Sequence, residues 1–133
     1  MDKRTVRAWM HRGVISCHPE TSLEEVASTM DSKDVSALVV VNAVGDLVGV
    51  ISRTDLVNAR FVEPYLKHWR GMNAEHVMSR PVISVGPDTS INEAARLLRE
   101  QQIHRLVVVE REGKHVRPLG ILSMTDLARH VSE

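Results

Sequence analysis

Residues 10–22 read MHRGVISCHPETS, and residues 78–90 read MSRPVISVGPDTS, so the same pattern recurs 68 positions later. Further along, GVISRTDL at 49–56 matches GILSMTDL at 120–127. The offset has grown to 71 there, because three extra residues lie around Lys114–Pro118. This order of matching segments indicates that the chain contains two copies of one unit of about 55–60 residues.

Each copy is predicted to open with a short β-branched strand and to continue with an amphipathic helix. The opening strands are placed at residues 14–16 and 82–84, before Pro19 and Pro87. Thr21 with Glu24 has the capping-box spacing that predicts a helix start, and Ser90 with Glu93 has the same spacing. The apolar positions that would form the buried helix faces are Leu23, Val26, Ala27 and Met30, and Ile91, Ala94, Ala95 and Leu98.

The remaining elements follow the aliphatic runs 38–41 and 106–109, which are too short and too β-branched for helices. We predict these runs to be strands buried on both sides. Further strands are predicted at 47–51 and, after a longer loop through Pro118, at 119–122, and closing helices at 52–59 and 123–131. Each copy is therefore predicted to be a β-α-β-β-α unit. One such unit is too small to bury its strands alone, so an α+β fold of two units packed about a pseudo-two-fold axis is expected.

Composition narrows the function classes. The 133 residues carry no formal net charge and only 3% aromatic residues, so the core must be aliphatic and no general positive field exists to hold nucleic acid. No apolar run reaches the roughly 18 residues of a membrane span, and no leader is visible. The single cysteine, Cys17, excludes an internal disulfide, and we expect a cytoplasmic location.

The doubled pattern VIS…P.TS…helix…LVVV…G…GVISRTDL resembles the cystathionine β-synthase (CBS) repeat, paired as in a Bateman module. The resemblance runs from about Thr5 to Val131, with repeat 1 at 5–60, a connector at 61–75 and repeat 2 at 76–133. The segments HRLVVVE and VSALVVV also resemble parts of the γ subunit of AMP-activated protein kinase. The resemblance implies two clefts between the repeats that hold AMP, ADP, ATP or S-adenosylmethionine. It also implies a homodimer formed through the repeat helices.

The segments at which a strand becomes a closing helix carry the candidate ligand residues. Ser52, Thr54 and Asp55 occupy this place in repeat 1, and Ser123, Thr125 and Asp126 occupy it in repeat 2. A carboxylate only accepts hydrogen bonds, and its two oxygens match the 2′ and 3′ hydroxyls of a ribose. Ser-x-Thr-Asp is also an ordinary helix cap, so both interpretations stay open at this stage.

The resemblance also implies which residues share a cleft. One cleft would pair Ser52, Thr54 and Asp55 with Val82, Ile83, His104 and Arg105. The other would pair Ser123, Thr125 and Asp126 with Gly13, Val14, Ile15, Ser36 and Ala37. Aliphatic strand residues would flank the purine.

The two predicted clefts differ in charge. His104, Arg105 and Arg53 are candidate phosphate partners in the Asp55 cleft, whereas Ser36 and Ala37 are neutral. Arg12 and Arg80 hold equivalent positions, and each is either a further phosphate partner or a solvated surface charge.

No other sequence motif predicts a different kind of functional site. The seven histidines show no metal-ligand spacing with a third partner, Cys17 is expected to be a small buried hydrophobe, and no catalytic motif is visible. The connector aromatics Phe61, Tyr65 and Trp69 are interpreted as local packing or as a partner surface. Two functions remain: a sensor of adenosine nucleotides, or of S-adenosylmethionine, that regulates an unidentified effector protein, and a ligand-free dimerisation or protein-interaction module. We do not expect an enzyme or a prosthetic group.

Overall fold

The structure is a computed structural model that describes residues 4–62 and 69–132. Its strands are β1 (His11–Arg12), β2 (Ser16–Cys17), β3 (Ala37–Val41), β4 (Leu47–Ser52), β5 (Ser84–Val85), β6 (Arg105–Glu112) and β7 (His115–Ser123). Its α-helices are α1 (Val6–Trp9), α2 (Leu23–Lys33), α3 (Arg53–Val57), α4 (Ala74–Val77), α5 (Ile91–Glu100) and α6 (Met124–Ala128). A π-helical turn, Asn58–Val62, continues α3.

The chain folds into two compact units that do not coincide with the two sequence repeats. The first-repeat unit is formed by the described residues of Ile15–Val82. The second-repeat unit combines those of Met1–Val14 with those of Ile83–Glu133. The opening segment of repeat 1, up to Val14, therefore folds with repeat 2.

The first-repeat unit is built on a three-stranded sheet of order β2-β3-β4. β2 runs parallel to β3, which pairs antiparallel with β4. One face of the sheet packs on α2, and the core between them is aliphatic because the sequence supplies almost no aromatic residues. Its fully buried members are Leu23, Val26, Met30, Leu38, Val40 and Ile51.

The second-repeat unit contains the equivalent sheet with one strand added, in the order β1-β7-β6-β5. β5 and β6 are parallel, β6 and β7 are antiparallel, and β1 adds antiparallel to the outer edge of β7. The core against α5 contains Ala94, Leu98, Leu106, Val108 and Leu122. In both units the antiparallel pair has a register shift at the same place, between Val40 and Val41 and between Val108 and Val109.

Each unit is completed by the short helix that lies at the start of the other repeat. In the second-repeat unit, Val6 of α1 is fully buried and Thr5 bridges Ser90. In the first-repeat unit, Ala74 of α4 is fully buried and Asn73 bridges Ser22. The sequence repeat therefore includes these helices.

The residues that directly follow α1 and α4 approach the sheets so closely that the strand residue beneath them must be glycine. A Cβ atom on Gly49 would lie 2.9 Å from Met78 Cγ and closer still to Met78 Sδ. A Cβ atom on Gly120 would collide with the backbone oxygen of His11. The two glycines occupy equivalent positions in the repeats, and each admits the segment that packs on its strand.

The buried strands and amphipathic helices are confirmed. Val40 and Val108 have no exposed surface, and the runs 38–41 and 106–109 are buried throughout. Cys17 is also buried, as expected. Its burial, together with the neighbouring Glu25 carboxylate, raises the pKa of the Cys17 thiol from 9.0 to about 11.

One predicted helix cap is wrong. The α2 cap is Ser22, whose Oγ accepts a hydrogen bond from Glu25 N at 3.1 Å. The Thr21 hydroxyl instead accepts from His18 N at 3.0 Å and closes the preceding turn, so it cannot cap the helix. The cap predicted at Ser90 is confirmed, because its Oγ accepts from Glu93 N at 3.1 Å.

Three element boundaries also differ from the predictions. The opening strands begin two residues later than predicted, at Ser16 and Ser84, because the parallel pairing starts only there, with Ser16 opposite Val39 and Ser84 opposite Val107. The predicted loop through Pro118 is strand, since the extra residues lengthen the β6–β7 hairpin, in which Val109 pairs with Pro118. The closing helices α3 and α6 have five residues each, and the π-helical turn follows the first.

No helix in the described part of the chain is long and apolar enough to cross a membrane.

Candidate functional site

The candidate site of repeat 1 is the junction where β4 ends at Ser52 and α3 begins at Arg53. Ser52 and Asp55 form a capping box, in which Ser52 N donates to Asp55 Oδ2 at 2.8 Å and Asp55 N donates to Ser52 Oγ at 3.2 Å. This arrangement fixes the carboxylate at the surface end of the strand. Thr54 is exposed and Asp55 is half-buried.

The junction of repeat 2 has the same geometry and one more internal hydrogen bond. Ser123 N donates to Asp126 Oδ2 at 2.8 Å, and Asp126 N donates to Ser123 Oγ at 3.2 Å. Ser123 Oγ also lies 3.1 Å from Asp126 Oδ2 and donates to it. Asp126 is buried with 9% exposure, whereas Thr125 is exposed.

A third contact distinguishes the two carboxylates. Arg129 Nη1 lies 3.5 Å from Asp126 Oδ1 and forms an ion pair with it. The residue in the equivalent place of repeat 1 is Asn58. Within residues 4–62 and 69–132, Asp55 Oδ1 forms no hydrogen bond or ion pair. Asp55 therefore has more unused acceptor capacity than Asp126.

The start of each middle strand lies beside the junction of its own repeat. In the first-repeat unit, Ala37 pairs with Ser52, and Arg53 N donates to Ser36 O at 2.9 Å. The second-repeat unit repeats this with different side chains. There Arg105 pairs with Ser123, and Met124 N donates to His104 O at 2.9 Å. Ser36 and His104 are exposed, and Ala37 and Arg105 are half-buried.

The residues predicted to flank the purine lie near the ends of the opening segments. Gly13 is exposed, adopts a φ of +82°, and donates its N–H to Leu119 O at 2.8 Å. The aliphatic candidates are half-buried; they are Val14, Ile15, Val82 and Ile83. Each cleft implied by the resemblance draws on residues of both compact units, and that grouping stays a prediction.

Comparison with known proteins identifies the repeats. The profile of the CBS domain matches the chain twice, at residues 6–61 and 74–133. The chain belongs to the CBS domain family. The two matches cover most of the chain, and both include the strand–helix junction of a repeat.

Relatives of this CBS pair include proteins much longer than it. An uncharacterised protein of Methanopyrus kandleri is 34% identical over 116 residues, which cover 87% of this chain and 57% of that protein. The γ-3 subunit of human 5′-AMP-activated protein kinase is 32% identical over 97 residues, which cover 70% of this chain and 19% of the subunit. The chain thus spans less than two thirds of the length of these relatives.

Among solved structures, the CBS pair is similar to CBSX2 in complex with AMP. The TM-score is 0.81 at 28% identity, and the alignment covers 95% of this chain and 94% of CBSX2.

Three arginines considered as phosphate partners of the CBS pair lie at the surface. Arg53 Nη2 is 3.8 Å from Asp34 Oδ1, and the Asp34 side chain is 99% exposed. Such an exposed pair is weak and does not prevent Arg53 from binding an anion. Arg12 in β1 and Arg80 are also exposed.

The other candidates raised by the sequence add no site. No group of three histidine, cysteine, aspartate or glutamate residues in the described ranges could hold a metal ion. Phe61 is 69% exposed, and Trp69 packs against the first-repeat core. Tyr65 and His68 lie outside the described residues.

Two ion pairs at the CBS junctions were not predicted from the sequence: Arg53 with Asp34, and Arg129 with Asp126. Arg129 follows Asp126 by three residues on one helical turn, so its spacing alone could have predicted the contact. Asp34 has a φ of +53° at the end of α2, and nothing in the sequence around it predicts a contact with Arg53.

Proposed function

We propose that this CBS pair is a regulatory module that binds an adenosine nucleotide at its strand–helix junctions and passes the bound state to an effector protein. The observation that carries the proposal is the doubled junction, in which a capped aspartate is held at the same place in both repeats. The complex of CBSX2 with AMP, and the relationship to a kinase subunit named for AMP, support the choice of ligand. We also propose that its role is regulatory rather than catalytic and that its location is cytoplasmic.

In this proposal Asp55 and Asp126 accept the ribose hydroxyls, and the threonines beside them contribute a further donor. The capping bonds leave Asp55 Oδ1 open, so cap formation and ribose binding are compatible at this residue. The remaining predicted contacts are Gly13, Val14, Ile15, Ser36, Ala37, Val82, Ile83, His104 and Arg105, as the family resemblance implies. Arg53, His104 and Arg105 would bind phosphate in the Asp55 cleft.

Thermal unfolding in the presence of AMP, ADP, ATP and S-adenosylmethionine tests the ligand class. A ligand present at a hundred times its Kd adds about 2.7 kcal/mol to the free energy of unfolding. For a chain of this size that corresponds to a rise in Tm of roughly 10 °C. No rise with any of the four compounds at millimolar concentration would contradict the proposal and favour a ligand-free module.

Calorimetric titration of variants tests the residues. Arg105→Ala should weaken AMP binding by about ten- to a hundredfold and adenosine binding much less, because a charge-assisted bond to phosphate is lost. Asp55→Asn should weaken both ligands alike, since the ribose is common to them. Asp31→Asn on α2 removes the same charge from an exposed position and serves as the control. An equal effect of Arg105→Ala on AMP and adenosine would exclude its phosphate role.

We also propose that the chain forms a homodimer through the repeat helices α2 and α5 or the closing helices. The closing segment of repeat 1 supports the last option, because Val57, Phe61 and Val62 are 50%, 69% and 70% exposed. Neighbouring exposed apolar side chains are typical of interaction surfaces. Light scattering at tens of micromolar should give the mass of two chains, and Phe61→Ser should shift it toward one. A monomeric wild type would contradict this assembly.

A further inference from the structure

The two candidate ribose carboxylates differ in how many of their lone pairs are already used. A carboxylate offers about four acceptor sites, two on each oxygen. Asp126 Oδ2 accepts from both Ser123 N and Ser123 Oγ, at 2.8 and 3.1 Å, and its Oδ1 is paired with Arg129 at 3.5 Å. Roughly one site remains, whereas the two hydroxyls of a ribose need two.

Most of the acceptor sites of the Asp55 carboxylate, in contrast, are unused by the described residues. Among the described residues it accepts one side-chain capping bond, from Ser52 N at 2.8 Å, and about three acceptor sites remain. Asp55 is also more exposed than Asp126. A ribose can therefore bind Asp55 without displacing an existing contact, but it must displace a donor from Asp126.

Arg129 is the donor that is easiest to displace and the one that distinguishes the repeats. Its side chain is 71% exposed, so water and salt screen its ion pair, while Ser123 N and the position of Ser123 Oγ are fixed by the cap. The equivalent residue of repeat 1, Asn58, bears no charge. We propose that Arg129 is a specificity-determining residue that lowers the affinity of the repeat-2 junction for a ribose diol, so that the Asp55 junction binds adenosine compounds first. This inference rests on the proposed function.

Exchanging the two residues isolates the effect. Arg129→Asn gives repeat 2 the residue of repeat 1, and Asn58→Arg does the reverse. Because the arginine of this ion pair is exposed to water and salt, we expect the pair to change ribose binding by about two- to fivefold, and each exchange should shift the affinity of its own junction by that factor. Arg96→Asn removes another exposed arginine from α5, where it pairs with Glu93 and Glu100, and controls for loss of charge.

The backbone amides of Ser52 and Ser123 report on the two junctions separately, because each donates to the carboxylate in question. We would titrate the ¹⁵N-labelled chain with adenosine, which is uncharged, and follow both amide signals. The Ser52 signal should reach its midpoint at a lower adenosine concentration than the Ser123 signal. Arg129→Asn should lower the Ser123 midpoint two- to fivefold, Asn58→Arg should raise the Ser52 midpoint, and Arg96→Asn should change neither.

Salt gives a second readout that does not depend on a substitution. Raising KCl from about 0.05 to 0.5 M shortens the screening length to a few ångströms and weakens the exposed Arg129 pair. Adenosine should then bind the Ser123 side more tightly in the wild type, with no such gain in Arg129→Asn. Equal midpoints at the two junctions, or an unchanged Ser123 midpoint in Arg129→Asn, would overturn the role of Arg129 alone. No response of either amide in the folded wild type to adenosine, AMP or S-adenosylmethionine would overturn the proposed function itself.

Discussion

Gly49 and Gly120, on which the segments at Met78 and His11 pack, should respond differently to substitution by alanine. Gly120→Ala places a Cβ atom against the backbone oxygen of His11, with His11 C and Met10 Sδ both at 3.3 Å. Backbone cannot rotate away, so β1 must separate from β7. Gly49→Ala meets the side chain of Met78 instead, whose Cγ is 2.9 Å and Cβ 3.2 Å from the new atom. A flexible side chain can move.

The magnitudes follow from these contacts. Overpacking costs about 1–3 kcal/mol, and displacing β1 weakens one or two hydrogen bonds worth about 1 kcal/mol each, including Gly13 N to Leu119 O at 2.8 Å. Gly120→Ala should therefore lower the free energy of unfolding by about 2–5 kcal/mol. Gly49→Ala should cost only about 1–2 kcal/mol, because rotation of Met78 relieves much of the clash.

Substituting Met78 and Met10 by alanine distinguishes a clash with a side chain, expected at Gly49, from a clash with backbone, expected at Gly120. Met78→Ala deletes the Cγ and Sδ atoms that Gly49→Ala would strike, so the double variant should be more stable than the sum of the single effects by about 1–2 kcal/mol. Met10→Ala leaves the His11 carbonyl in place, so its coupling with Gly120→Ala should stay below about 0.5 kcal/mol.

Urea unfolding followed by far-UV circular dichroism measures all four single variants and both double variants. Gly86→Ala is the matched control, since no atom lies within 4 Å of its new Cβ. It should be neutral or slightly stabilising. A rescue of Gly120→Ala by Met10→Ala as large as the rescue of Gly49→Ala would show that the β1 backbone is not the obstacle, and would refute the reasoning.

Three further outcomes are expected from urea unfolding. The free energy of unfolding should fall by up to about 2–3 kcal/mol between pH 9 and 11, because the pKa of the Cys17 thiol is 9.0 in the unfolded chain and about 11 in the folded one. Cys17→Ala should flatten that part of the pH profile, and an unchanged slope in this variant would contradict the assignment to Cys17. Ser22→Ala should cost about 1 kcal/mol by removing the α2 cap, and a Ser22→Ala variant as stable as the wild type would contradict this assignment. Asp126→Ala should cost more than Asp55→Ala, by about 1 kcal/mol, because Asp126 accepts more hydrogen bonds and is more buried; the reverse order would be inconsistent with the two carboxylate environments.

The secondary structure was largely predictable because it depends on local periodicity. Val40 and Val108 lie in aliphatic runs that fit only buried strands, and the structure places them there. The error at Thr21 arose because two adjacent hydroxyl residues, Thr21 and Ser22, both suit a cap, and only the turn geometry decides between them. The extension of β6 and β7 beyond the predicted strands 106–109 and 119–122 was missed because Pro118 suggested a loop.

The candidate site was predictable in part for the same reason. The junctions at Asp55 and Asp126 follow from short motifs, and the structure gives both the predicted cap geometry. The pairing of β1 with β7 was not predictable, because His11 and Ile121 are distant in sequence and no local pattern links them. Long-range pairing is decided by tertiary packing, which a single sequence records only weakly.

The addition of β1 to β7 has a consequence for synthesis on the ribosome. His11 pairs with Ile121, so its partner strand is made 110 residues later. At translation rates of about 5–20 residues per second, the segment around Val6 and His11 waits roughly 5–20 s with its apolar residues uncovered. During that interval the nascent chain carries an unpartnered strand and a helix without a core. A chaperone that binds short apolar segments would find the segment around Val6 and His11 exposed during that interval, and nascent chains stalled before the second repeat should be bound longest.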